Sequence, residues 1–189
     1  MKVMRFFFLV FFLWGCEKQT PKFRLTDITG ANVGGDFVLQ AYDGSKKHLK
    51  DFQGKVVLLY FGYLNCPDIC PTMLFKIKSA LEKTREGVSP QVLFVTLDPE
   101  RDPPSRLKGY LSHFGESFLG LWGNAEEVAL AAKLWKVYYR KVGEGGSYTL
   151  DHSAGAYILD AQGRPRLYLS QEASAGDLAH DLRLLARPQ

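Results

Sequence analysis

The chain has 189 residues, 46% of them hydrophobic and 23% charged. That is the composition of one ordinary globular domain and excludes a disordered chain. Its 24 Lys and Arg against 20 Asp and Glu give a formal charge of +4. No basic stripe interleaved with aromatics appears, so a nucleic-acid partner is not expected.

The opening stretch "MKVMRFFFLVFFLWGC" reads as a targeting segment, with Lys2 and Arg5 before the unbroken apolar run Phe6 to Trp14. A run of that length rises only ~14 Å as a helix, short of a bilayer core of roughly 30 Å, and suits a signal peptide. Its end, "LWGC", resembles a bacterial lipobox, which implies cleavage before Cys16 and a lipid on the Cys16 sulfur. Residues 1–15 are then a lipoprotein signal peptide, 16–22 a polar tether and 23–189 the folded domain. Cleavage removes two cations, leaving 22 basic against 20 acidic residues and a formal charge of +2.

Within the domain, "FVLQAYDGSKKHLKDFQGK" predicts a strand, an Asp43-Gly44 turn, a second short strand and a loop. "KVVLLYFGY" is a continuous apolar run of strand length, expected at the centre of a sheet and buried on both faces. "PTMLFKIKSALEKTRE" has helical spacing, with Met73, Ile77 and Leu81 on one face and Leu74 beside them. "QVLFVTLD" predicts another buried strand, "PPSRLKGYLSHFG" a helix with Pro104 near its start, and "FLGLWG" a short strand. "NAEEVALAAKLWKVYY" predicts a helix capped by Asn124, with Glu127 completing a capping box. "AYILDAQGRPRLYL" predicts a hairpin turning at Ala161 to Gly163, and Ser174 caps a closing amphipathic helix. Strands alternate with helices before a terminal hairpin, so an α/β fold with a mixed sheet is expected.

Chemistry concentrates in "YFGYLNCPDICPTML". Cys66 and Cys70 lie on a loop that leaves a strand and opens a helix, which is the thioredoxin arrangement. The expected fold class is therefore α/β, thioredoxin-like or peroxiredoxin-like, a mixed sheet flanked by helices with an extra N-terminal hairpin. Pro71 suits the first helical position, which makes Cys70 the expected N-cap. Near a helix N-terminus the partial positive charge favours thiolate over thiol. The pair can form a disulfide, work as a redox couple or clamp a soft metal. A structural staple ranks last, because so small a loop restrains the unfolded chain little.

Two features favour a metal. Thioredoxin-type enzymes space their cysteines by two residues rather than three, and they carry a cis-proline in the loop facing them. The matching loop here, "LDHSAGAYIL", has no proline but contains His152. Two thiolates and an imidazole suit Cu(I) or Cu(II), and zinc is the competing ion. His48, His113 and His180 are read as ordinary surface or helix residues, and Met73 as core. Gly143, Gly145 and Gly146 suggest a mobile segment, so His152 is expected to stand away from the sulfurs when no metal holds it.

"FGYLNCPDICP", "LDPERDPP", "LGLWGNAEEV", "VYYRKV" and "DHSAGAYILDAQG" together resemble the Sco/SenC family, copper-delivery factors for cytochrome c oxidase assembly. The resemblance implies copper bound through Cys66, Cys70 and His152. It also implies delivery of that copper to the CuA centre of cytochrome c oxidase subunit II, or reduction of that subunit's cysteines beforehand. The implied protein is a binding and transfer protein rather than an enzyme, unless Cys66 and Cys70 act as a redox pair. The expectation is a monomer tethered by its lipid to the outer face of a membrane, facing the periplasm, loaded by another periplasmic copper chaperone. Asp98 and Arg101 of "DPERD" are expected either to orient the metal loop or to form a capped turn with internal charge pairs. A peroxidase of the peroxiredoxin type is the weaker third reading, because its chemistry needs a supporting Thr/Arg pocket and the sequence shows none.

Overall fold

All six residues of β4 (Val57–Gly62) are buried, as a strand covered on both faces must be. The computed structural model describes residues 22–84, 88–143 and 147–186. Cys16, the signal segment and residues 144–146 lie outside them. In the main sheet β4 pairs parallel with β5 (Gln91–Thr96) and antiparallel with β9 (Ala156–Leu159). β5 pairs parallel with β6 (Phe118–Trp122). β9 continues into β10 (Pro165–Leu169), which pairs with β1 (Thr26–Asp27). On the far side, β2 (Val38–Ala41) pairs with β6 and with β3 (Lys46–His48) across a turn whose Gly44 has φ of 80°. The strand order is β1-β10-β9-β4-β5-β6-β2-β3, a mixed sheet.

Four helices flank it. α1 (Ile69–Lys83) buries Cys70, Met73, Leu74, Ile77 and Ala80, a stripe at helical spacing. It packs on α4 (Ala175–Leu185) and meets the end of α2 (Pro104–Leu111) through the Phe75 and Phe114 rings, 5.0 Å apart. α3 (Ala125–Leu134) leads into Trp135, whose ring meets Tyr157 edge-on at 5.1 Å. Tyr157 is registered against Leu59, whose side chain points away from that of Tyr60, so Trp135 closes the face opposite α1. The chain joins the sheet through Asp181 of α4, a fully buried carboxylate that accepts the backbone N–H groups of Arg24 (2.9 Å) and Leu25 (2.8 Å).

Three expectations need correction. The third helix does not run through "KVYY": it ends at Leu134, Lys136 takes φ of 52°, and Tyr139–Val142 forms β7. Aromatic and β-branched residues fit a pleated surface better than a helix interior. His152 is not on a loop but ends β8 (Thr149–His152), which pairs with β7 as a separate two-stranded ribbon. Finally, α1 begins at Ile69 with Asp68 as N-cap, so Cys70 lies inside the first turn. The Asp68 carbonyl accepts the Thr72 N–H (3.1 Å), and Pro71 is tolerated because first-turn N–H groups have no helical partner anyway.

Candidate metal centre

β4 delivers the chain to the cysteines at its C-terminal end. Gly62 carries no side chain, and a Cβ there would lie 2.8 Å from the Cys70 sulfur. That sulfur therefore tucks onto the end of the sheet, and Cys70 is fully buried while Cys66 is half-buried. The Cys70 N–H points at Cys66 Sγ (3.4 Å), so the first sulfur takes an orphan donor of the helix N-terminus. The ribbon brings in the third group. His152 Nε2 lies 3.4 Å from Cys70 Sγ, and its Nδ1 lies 2.8 Å from the Ser153 carbonyl. A carbonyl only accepts, so Nδ1 carries the proton and Nε2 keeps its lone pair facing the sulfurs. Tyr63 and Tyr60 hold the imidazole edge-on, at 5.8 and 6.4 Å between ring centres.

Both sulfurs and one imidazole nitrogen lie within 4.8 Å of one another, the one such His/Cys/Asp/Glu group among the described residues. His152 thus stands against the sulfurs rather than displaced from them. The glycine-rich stretch was a poor guide because other residues fix the ribbon. Cys66, Pro67, Ile69 and His152 line an open cleft of about 370 Å³, which leaves the group accessible from one side. His48 pairs with Asp36, His113 with the Tyr110 carbonyl in the last turn of α2, and His180 with Asp181, each apart from the site.

What fixes the ribbon is "DPERD". Asp98 accepts the Tyr148 hydroxyl (2.6 Å) with one oxygen and Arg101 Nε (2.5 Å) with the other. The Arg101 guanidinium stacks 3.5 Å over the Tyr148 ring and donates to the Tyr148 carbonyl (2.8 Å). Tyr148 leads directly into β8, which presents His152 four residues later. Asp102 serves the other half of the site, its one oxygen accepting both the Leu64 N–H (2.9 Å) and the Thr96 hydroxyl (2.8 Å). The motif after β5 thus holds the cysteine loop with one carboxylate and the histidine ribbon with another. Tyr148 gives no signal in the sequence, since its role depends on a partner 50 residues away.

The two thiols are electrostatically unlike. Cys66 is pushed well below the ordinary thiol range, chiefly because it accepts a hydrogen bond from the Cys70 thiol, with further donors in the backbone N–H groups at the helix N-terminus. Cys70 is pushed up, because its S–H donates a hydrogen bond to Cys66 and because it is buried. The arrangement favours a half-buried thiolate at Cys66 beside a buried thiol at Cys70. In iodoacetamide labelling of the reduced protein at pH 6, Cys66 is expected to react at least about tenfold faster than Cys70. Peptide mass spectrometry reads this directly, and equal rates would contradict the asymmetry.

The sequence profile of the family described as SCO1/SenC matches residues 26–187. The chain belongs to the SCO1/SenC family. It is similar to the SCO2-like protein of Rickettsia conorii, 36% identical over 157 residues that cover 80% of this chain and 76% of that one. It is 41% identical over 138 residues to the mitochondrial SCO1 of Saccharomyces cerevisiae, covering 70% of this chain but only 47% of that protein. Among solved structures, Bradyrhizobium japonicum ScoI, determined with copper bound, superposes with a TM-score of 0.73 at 36% identity, covering 81% of this chain and 99% of that one. These matches carry the thioredoxin-like fold of Sco proteins to this family member. Among its described residues no helix is long and apolar enough to cross a membrane.

Proposed function

We propose that this family member is a copper metallochaperone that holds one copper ion through Cys66, Cys70 and His152. In this reading it passes the ion to the CuA centre of cytochrome c oxidase subunit II. The observation that carries the reading is the convergence of two sulfurs and an imidazole nitrogen within 4.8 Å. Two soft thiolates and one imidazole fit a cuprous ion, and among the described residues no carboxylate belongs to the group to favour a harder one. Copper-bound Sco structures and the place of the Sco family among cytochrome c oxidase assembly proteins support the same reading.

Transfer proceeds by ligand exchange. An incoming thiolate or imidazole reaches the ion from the open cleft beside Cys66, since Cys70 is sealed from that side. Copper is cargo here and no electron need move. Lipidation at Cys16, a tether over 16–22 and a monomeric domain facing the periplasm complete the proposal, with another copper chaperone as donor. The second reading is a thiol–disulfide reductase for the acceptor's cysteines, favoured by the half-buried, acid-shifted Cys66 thiolate beside Cys70.

The test is an anaerobic Cu(I) titration of the reduced protein with zinc as competitor. One equivalent of Cu(I) retained against excess zinc is expected. A reduced protein that takes up no Cu(I), yet rapidly reduces a disulfide-bearing acceptor, overturns the chaperone reading in favour of the reductase.

A further inference from the structure

The space that Gly62 leaves empty is shared by two groups. A Cβ at this position would meet Tyr60 Cε1 at 3.1 Å as well as the Cys70 sulfur at 2.8 Å. Tyr60 and Gly62 are two apart on a strand and so share a face, and the Cys70 sulfur and the Tyr60 ring edge both border the space above Gly62. Tyr60 is fully buried, and its hydroxyl makes no hydrogen bond among the described residues. Leaving such a group unpaired costs about 1–3 kcal/mol, and phenylalanine would fill nearly the same volume without that cost. The hydroxyl rotates about its C–O bond to meet an acceptor, and the group sharing the space above Gly62 with its ring is the Cys70 sulfur. The proximity is felt on both groups, since negative charge on Cys70 raises the Tyr60 phenol and the phenol in turn favours the Cys70 thiolate.

We propose that Tyr60 is a positioning residue whose hydroxyl donates a hydrogen bond to Cys70 Sγ when that sulfur is a metal-bound thiolate. The inference rests on the copper reading above. It solves a problem that reading raises: binding copper through both cysteines places a negative sulfur where no water reaches. Cys66 already accepts a backbone N–H and lies at the cleft. Cys70 is sealed from the cleft, where the Tyr63 N–H already favours its thiolate, and Tyr60 adds a hydroxyl donor. No atom or electron is transferred in this step.

The test compares the wild-type protein with Tyr60→Phe and with Tyr157→Phe, which removes a part-buried hydroxyl bonded to the Trp135 carbonyl (2.7 Å) away from the site. For Tyr60→Phe, Cu(I) affinity is expected to fall about tenfold. The thiolate-to-Cu(II) charge-transfer band should move to lower energy, because a thiolate without its hydrogen bond is the better electron donor. The melting temperature should not fall, since no other partner is lost. Tyr157→Phe should leave affinity and band unchanged. Copper parameters of Tyr60→Phe equal to those of a copper-binding wild type would overturn this inference alone, as would an equal shift in Tyr157→Phe. A wild type that takes up no copper would overturn the copper reading and this inference with it.

Discussion

Replacing His152 with alanine is expected to weaken Cu(I) binding by more than about a hundredfold while moving the Cys66–Cys70 dithiol/disulfide potential by less than roughly 30 mV. The imidazole is the third ligand atom of the group, and its Nε2 is free to bind because the Ser153 carbonyl occupies Nδ1–H. Its loss leaves two sulfurs with no third donor among the described His, Cys, Asp and Glu residues. The dithiol keeps its other supports, the Cys70 N–H on Cys66 and the burial of Cys70. Competition against a chromophoric Cu(I) chelator measures the first quantity and equilibration with glutathione the second. A variant that keeps its copper but loses disulfide exchange would transfer the assignment to the reductase. Cys66→Ser is less informative, because it should abolish both activities.

Gly62→Ala should disable the centre without unfolding the protein. The added methyl would lie 2.8 Å from Cys70 Sγ, and 3.1 Å from both Phe94 Cε2 and Tyr60 Cε1. None of these side chains has room to retreat, since Tyr60, Cys70 and Phe94 are all fully buried. Overpacking of this kind costs about 1–3 kcal/mol, which a domain of this size tolerates. The cheapest relief is a shift of the Cys70 sulfur, and that shift breaks the three-atom geometry. Cu(I) affinity is therefore expected to fall more than about tenfold, with the melting temperature lowered by a few degrees. Wild-type affinity in this variant would show that Gly62 is a packing residue alone.

Much of this was legible in the chain. The runs Val57–Gly62 and Gln91–Thr96 had to be central strands, because nothing but a doubly covered sheet accepts them. The capping residues Asn124 and Ser174 mark their helices, each side chain accepting the N–H three residues on. The placement of Cys66 and Cys70 between a buried strand and a helix could also be read from spacing. His152 was harder. Its neighbourhood looks like loop because the glycines at 143, 145 and 146 dominate the local signal, and pairing between β7 and β8 depends on residues a dozen positions apart. Nor could spacing show that Asp98 and Arg101 grip Tyr148, or that Asp102 grips the Leu64 N–H. Such bonds are tertiary, and a local pattern leaves a capped turn equally plausible.

The direction in which the chain joins the sheet has a bearing on where cargo changes hands. β1 runs antiparallel to β10, and β10 lies across β9 from β4. Residues just upstream of Thr26 therefore leave the domain at the end of the sheet where β4 hands over to the cysteines. Arg24 and Leu25 are bolted there to Asp181. With Cys16 lipidated as proposed, the leash over residues 16–22 reaches at most about 25 Å. On that proposal, a leash so short and fastened on that side would keep the cleft within reach of the bilayer, and an acceptor would be met within a few nanometres of the lipid headgroups.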